Sequence, residues 1–145
     1  MASVSGSIEG YLIKLEQDSG EIVYCILEEG NLVYYSGKGG DCLGQLTLTG
    51  HRINVNLIRD DRDSVPNRFI VSSRPPKKDE MENRLLFSAS TPECQENWAT
   101  AILNWNKHCW DDSETVFSYK DELEALKRIV NKYNLKQSVV IHPIG

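Results

Sequence analysis

Residues 91–105 read TPECQENWATAILNW and carry the only strong helix signal before residue 110. Thr91 suits the N-cap of a helix, because its hydroxyl can accept from free amides of the first turn, and Pro92 suits the first helical position. Four residues then recur at helical spacing: Trp98, Ile102, Trp105 and Cys109. They fall on one face. The pattern predicts one amphipathic helix with a buried aromatic side.

The sequence upstream of this helix has the features of β-strands. β-Branched and alternating runs separated by turn residues predict about seven strands; these lie at residues 7–15, 21–27, 32–35, 43–49, 52–58, 68–72 and 84–89. In the fifth run, apolar and polar residues alternate, as expected for a sheet that has one face buried and the other exposed to solvent. One helix after a long series of strands predicts a small, mainly β structure whose opening the helix covers.

Composition limits the classes of protein that this chain can belong to. With 145 residues, 40% hydrophobic and 26% charged, it has enough sequence for one domain with a core. Neither a membrane-spanning run nor a signal peptide is recognisable, which predicts a soluble, cytoplasmic protein. The net charge of -5 argues against a general nucleic-acid binder but leaves room for a local basic patch.

Catalytic and metal-binding motifs are not recognisable. The four cysteines, Cys25, Cys42, Cys94 and Cys109, include no CxxC pair and favour reduced thiols, although counting alone leaves two disulfides open. The glycine-rich run at 36–40 lacks the spacing of a phosphate-binding loop, and the three histidines are scattered. We therefore predict a protein that is not an enzyme and has no metal or cofactor.

A second helix is predicted at residues 119–136, after an acidic linker at 111–115. Its apolar stripe consists of Leu123, Leu126, Ile129 or Val130, and Tyr133. Its acidic residues come early and its basic residues late, which matches the helix dipole. The stripe favours docking onto the preceding domain, where Trp110 is a candidate contact; binding of a partner protein is the alternative.

Four segments together resemble a pleckstrin homology (PH) domain over residues 6–110. They are the opening Glu9-Gly10-Tyr11-Leu12-Ile13-Lys14, the return strand ending Cys25-Ile26-Leu27, the strand Leu32-Val33-Tyr34-Tyr35, and the helix with Trp98 followed by Ala101-Ile102. The resemblance implies a partly open, seven-stranded barrel of two near-orthogonal antiparallel sheets, capped by the helix. Residues 111–145 would then be a linker and helical extension. Phosphotyrosine-binding and GRAM domains share this skeleton and stay open as alternatives.

The resemblance also implies where a ligand would bind. In many family members that bind phosphoinositides, a Lys near the end of the first strand acts with a Lys/Arg-x-Arg pair on the second. Lys14 matches the first position, but Glu21 and Val23 occupy the positions of the pair. Since adjacent phosphates need converging cations to offset their desolvation, tight polyphosphoinositide recognition is not expected.

We therefore predict a non-catalytic adaptor that binds an anionic phospholipid headgroup weakly at the membrane surface, in signalling or trafficking. The headgroup is a phosphoinositide or a simpler one such as phosphatidic acid or phosphatidylserine, and the site residues are Lys14, Lys38 and Arg52. Three further cations, Arg74, Lys77 and Lys78, would join if their loop folds nearby. Each cation taken alone has a simpler interpretation as a solvated loop residue. The alternative function is a protein-interaction module without significant lipid binding.

Overall fold

The computed structural model describes residues 8–17, 19–28, 30–59, 64–77, 79–107 and 122–135. The elements in chain order are β1 (Ile8–Glu16), β2 (Ser19–Glu28), β3 (Asn31–Tyr35), β4 (Cys42–Thr47), β5 (Arg52–Ile58), β6 (Arg68–Arg74), β7 (Asn83–Ser88), α1 (Pro92–Leu103), a 3-10 turn (Trp105–Lys107) and α2 (Glu122–Lys132). The seven strands and both helices predicted from the sequence are confirmed.

All seven strands are antiparallel and belong to one sheet, in the order β4-β3-β2-β1-β7-β6-β5. The two sheets expected from the sequence are joined by a short ladder in which Ile13, Lys14 and Leu15 of β1 pair with β7. The sheet does not close on itself, because β4 and β5 each pair on one side. The result is an open, barrel-like sheet whose edge strands, β4 and β5, do not pair with each other.

Helix α1 packs against β5 and β6 and completes the main core. The predicted cap is confirmed, since Thr91 Oγ1 accepts from the Cys94 amide at 3.0 Å. Trp98 is fully buried within the main cluster, together with Ile102. Trp105 is partly buried and packs against the same cluster, whereas Cys109 lies outside the described residues. The helix therefore places its aromatic face where the sequence predicts.

Helix α2 covers the other face of the first hairpin. Its buried side chains Leu126 and Val130 form a second apolar cluster with Ile13 and Leu15 of β1. Docking onto the preceding domain is thus confirmed, although Trp110 lies outside the described residues. Gly20 permits this close approach, because a Cβ there would lie 3.0 Å from Leu135 Cδ1 and 2.9 Å from a methyl of Leu15.

Three cysteines are described and all are free thiols. Cys25 and Cys94 are buried and Cys42 is exposed. Within the described ranges, no group of His, Cys, Asp and Glu side chains could hold a metal ion. No helix of those ranges is long and apolar enough to cross a membrane.

Candidate ligand-binding surfaces

The tip of the β1–β2 hairpin and the β3–β4 loop lie at the same end of the sheet, here called the open end. Glu16 pairs with Ser19 at the tip of the hairpin. Tyr35, the last residue of β3, pairs with Tyr24 of β2, so the chain leaves β3 beside the first half of β2. Lys14 near the tip and Lys38 in the loop are therefore both placed at the open end.

Lys14 is already neutralised by contacts within the protein. Its Nζ lies 2.8 Å from Glu16 Oε1 and 5.5 Å from the centroid of the Tyr34 ring, and its side chain is only 13% exposed. The hydrogen bond and the charge of Lys14 hold the pKa of the Glu16 carboxyl below its usual value. Glu21 is the direct cross-strand partner of Lys14 in the ladder. The lysine that matches the first position of the expected basic motif thus faces carboxylates on its own hairpin.

Tyr34 extends from β3 towards β4 at this end. A Cβ at Gly44 would collide with the Tyr34 hydroxyl and ring, so the glycine makes room for the aromatic side chain. The ring lies between the ammonium of Lys14 on one strand and the backbone of Gly44 on another. Side chains of the protein thus occupy the space beside Lys14.

Lys38 is more accessible. It is exposed in a loop closed by two hydrogen bonds, from the Ser36 amide to the Asp41 carbonyl at 2.9 Å and from the Asp41 amide to the Ser36 hydroxyl at 3.0 Å. Among the described residues, Lys38 has no ion-pair partner. Its ammonium can therefore meet an anionic ligand without first breaking a protein contact.

Arg52 points away from the side of the sheet that carries Lys14. On β5, Ile53, Val55 and Leu57 pack against the main core, so Arg52 lies on the outer face by alternation. Lys14 is in phase with Leu12, which belongs to that core. The structure thus brings Lys14 and Lys38 to one end of the sheet but does not bring Arg52 to the same face as Lys14.

Arg52 instead belongs to a group of outward-facing charges on β5, β6 and β7. Arg74 pairs directly with Arg52 across the ladder, and Arg84 projects from β7 on the same outer face. Glu82 forms ion pairs with two of these arginines: its Oε1 lies 3.5 Å from Arg74 and its Oε2 lies 2.7 Å from Arg84. The hydrogen bond from Arg84 holds the pKa of Glu82 below its usual value. We call Arg52, Arg74 and Arg84 the arginine row.

Sequence reasoning named Arg52 and Arg74 but missed Arg84 and Glu82. The signal that could have found them is phase: Arg84 precedes the apolar residues Leu85 and Phe87 of the last strand and is out of step with both. The register that places these side chains beside Arg74 depends on a turn at residues 75–82, for which the sequence gives no clear turn type.

Glu122 was also missed, because it was interpreted, with the other early acids of this helix, only as matching the helix dipole. It is 3% exposed; its Oε2 accepts from the Tyr11 amide at 3.3 Å, and its Oε1 has no partner within the described part of the chain. Burial raises its pKa to about 7, although the hydrogen bond from Tyr11 acts in the opposite direction. Its spacing of four residues before Leu126 would have placed it on the buried face.

The comparisons with known proteins identify the family. A sequence model of the PH domain matches residues 6–107. The chain therefore belongs to the PH domain family, whose members are generally non-catalytic modules. No curated protein sequence gives a significant match.

Two solved structures show the same fold. The PH domain of the human KIAA0053 protein is 18% identical, with a TM-score of 0.58 and coverage of 74% of this chain and 95% of that one. The PH domain of human pleckstrin homology domain-containing protein family A member 5 is 17% identical, with a TM-score of 0.52 and coverage of 83% and 88%. The C-terminal PH domain of pleckstrin, in complex with D-myo-Ins(1,2,3,5,6)P5, is 26% identical, with a TM-score of 0.49 and coverage of 65% and 88%.

Proposed function

We propose that this PH domain is a non-catalytic adaptor that binds anionic phospholipid, a phosphoinositide or phosphatidic acid, weakly at the cytoplasmic face of a membrane. The observation that carries the proposal is the accessibility of two predicted cations: Lys38 and Arg52 are exposed and form no ion pair among the described residues. A base near an anionic membrane surface contributes about 1 kcal/mol. Two such bases give a weak, salt-sensitive contact despite the net charge of -5.

Lys14 can contact lipid only if it exchanges its ion pair with Glu16 for one with a lipid phosphate. Its ammonium must leave Glu16, now at 2.8 Å, before it can contact a lipid phosphate. The neighbouring Glu21 repels the same phosphate, since it is the cross-strand partner of Lys14. We therefore assign most of the headgroup contact to Lys38 and Arg52, and a smaller part to Lys14. This division supports a recruitment role over stereospecific recognition of a polyphosphorylated inositol.

Vesicle flotation tests the proposal. The wild-type chain should float with phosphatidylcholine vesicles that contain phosphatidic acid or phosphatidylserine, and not with phosphatidylcholine alone. Lys38→Gln combined with Arg52→Gln should weaken binding about 25-fold, if each base contributes about 1 kcal/mol. The matched control is Arg59→Gln with Lys127→Gln, which removes equal charge from exposed residues already paired with Glu96 and Glu124. Equal flotation with both kinds of vesicle would reject the proposal.

A protein-interaction module is the second candidate, and one observation favours it. The open end carries Glu16 and Glu21 beside a neutralised Lys14, which suits a cationic segment of a partner better than a phosphate. The unpaired edges of β4 and β5 offer such a segment a place to add as a strand. If anionic lipid has no effect on flotation, this candidate becomes the leading one.

A further inference from the structure

We propose that the arginine row is a phosphate-binding site in its own right, on the outer face of β5, β6 and β7, which is the opposite face of the sheet from Lys14. Its ligand is a phosphate group presented by a membrane lipid. The inference deepens the proposed function, with which it shares Arg52, and it adds Arg74, Arg84 and Glu82 to the residues that determine binding.

Strand register places the three arginines within reach of one ligand. Arg52 pairs with Arg74, and Ser72, two residues before Arg74, pairs with Arg84. Neighbouring strands lie roughly 4.8 Å apart, so the three side chains start from points spread over roughly 10 Å. Each guanidinium presents a planar fork of donors that matches two oxygens of a phosphate. The row can therefore direct several donors to one anion.

The charge of the row is not balanced by the protein. Like charges directly opposite each other on one face of a sheet are destabilising, and Arg52 faces Arg74 in this way. Glu82 is the one acid that forms ion pairs with the row among the described residues, and Arg52 forms none. Three cations and one carboxylate leave two positive charges, which a phosphate dianion would neutralise.

Glu82 shows how an anion can be held here. Its two oxygens accept from different arginines, at 3.5 Å from Arg74 and 2.7 Å from Arg84. The longer distance exceeds that of a charge-assisted hydrogen bond, so Arg74 keeps donors for another oxygen. The carboxylate thus occupies part of the space that a bound phosphate would use and competes with it.

The surroundings of the row favour a lipid over a free phosphate. A cleft of about 390 Å³ adjoins it and is lined by Arg74, Pro75, Pro76, Lys77, Glu80 and Glu82. Met81, in the same loop, is 84% exposed. An exposed apolar side chain beside cations can enter the headgroup layer while the cations contact phosphates. The same loop therefore offers both an apolar and an ionic contact with a membrane.

The first experiment uses inorganic pyrophosphate and backbone amide NMR shifts. We expect shifts at positions 52, 72–74 and 82–84, and none in the helix α2. Arg74→Gln with Arg84→Gln should weaken binding about 25-fold, at about fivefold for each arginine, whereas Arg59→Gln with Lys127→Gln should leave it unchanged. Shifts that are absent from β5, β6 and β7, or that survive in the arginine variant, would overturn the inference.

A second pair of variants tests the competing carboxylate, and here we expect tighter binding instead of weaker binding. Glu82→Gln removes the competing carboxylate and should tighten pyrophosphate binding about fivefold, provided the folded amide spectrum is retained. Glu96→Gln removes the same charge from the acid that pairs with Arg59 and should change little. Equal effects of the two variants would mean that only overall charge matters, and the site would be rejected.

Flotation of the same variants with phosphatidic acid vesicles separates the two proposals. If vesicles bind the wild-type chain and the Arg74→Gln, Arg84→Gln variant equally, the arginine row is not the lipid site and the proposed function stands. If pyrophosphate binds the row but vesicles do not bind the wild-type chain, the proposed function fails and the row is a site for soluble phosphates. If the wild-type chain binds both pyrophosphate and vesicles, and the Arg74→Gln, Arg84→Gln variant binds neither, both proposals are supported.

Discussion

Glu122 should make the docking of α2 dependent on pH. Its carboxyl has an ordinary pKa of 4.5 and one of about 7 in the folded protein, because burial disfavours the ionised form. The folded state therefore binds this proton more tightly than the unfolded chain does. The stabilisation is fully present below about pH 4.5 and is lost as the pH rises to about 7. The difference corresponds to about 3 kcal/mol in total, most of which falls between pH 5 and 8.

The described neighbours of Glu122 whose pKa values are shifted, Tyr24 and Cys25, ionise above this window. The backbone amide of Tyr11 donates to Glu122, and the Tyr24 hydroxyl nearby donates to Glu9 while burial raises its pKa further above the neutral range. Glu16 and Glu82 have lowered pKa values, so their contributions change below about 4.5. The difference in pH dependence between the wild-type chain and Glu122→Gln over this window is therefore assigned to Glu122.

Urea denaturation at pH 5 and pH 8 measures the effect. Between the two pH values, the wild-type chain should lose about 2 to 3 kcal/mol more than Glu122→Gln does, because an amide does not ionise. Glu124→Gln, on the exposed side of the same helix, is the control and should behave as wild type. Amide exchange in α2 is a second readout, since an undocked helix exchanges faster while the sheet stays folded. Equal pH dependence in wild type and Glu122→Gln would refute the reasoning.

Three further predictions concern the core, the α2 contact and the open end. Trp98→Ala should lower the free energy of unfolding by about 3 to 5 kcal/mol in urea denaturation, because it removes a fully buried indole, and a loss below about 1 kcal/mol would contradict this. Gly20→Val should speed amide exchange in α2 and leave α1 protected, since a side chain there meets Leu135; unchanged exchange would show that the contact adapts. Glu16→Gln should strengthen flotation with anionic vesicles about fivefold by freeing the lysine it holds, whereas Glu28→Gln at the far end of β2 should not.

The fold was predictable because its signals are local. A capped helix with Pro92 at its first position and Trp98 on its apolar face needs no knowledge of the rest of the chain. The strands were recognisable from alternation and turn residues, and their bounds shift by a few residues, since β4 ends at Thr47 and not at residue 49. The α2 stripe was recognisable for the same reason, and Leu126 and Val130 are buried as expected.

The candidate site was less predictable because it depends on pairings across the sheet. Lys14 and Glu16 are two residues apart on one strand, so their side chains lie on the same face and make contact. The sequence interpretation nevertheless treated Lys14 as available for a lipid headgroup. That Arg52 faces Arg74 depends on the register of β5 against β6, which are separated by nine residues in the chain. Composition predicted the presence of basic residues, but only the register shows which of them share a face.

The contact between Tyr11 and Glu122 joins positions 111 residues apart in the chain. At the usual rate of synthesis, the first hairpin leaves the ribosome roughly 5 to 20 seconds before the helix that will cover it. During that interval Ile13 and Leu15 present an apolar strand face to other nascent chains. A truncation that removes α2 would make this temporary exposure permanent, and we expect such a chain to depend on chaperones and to aggregate at concentrations the longer chain tolerates.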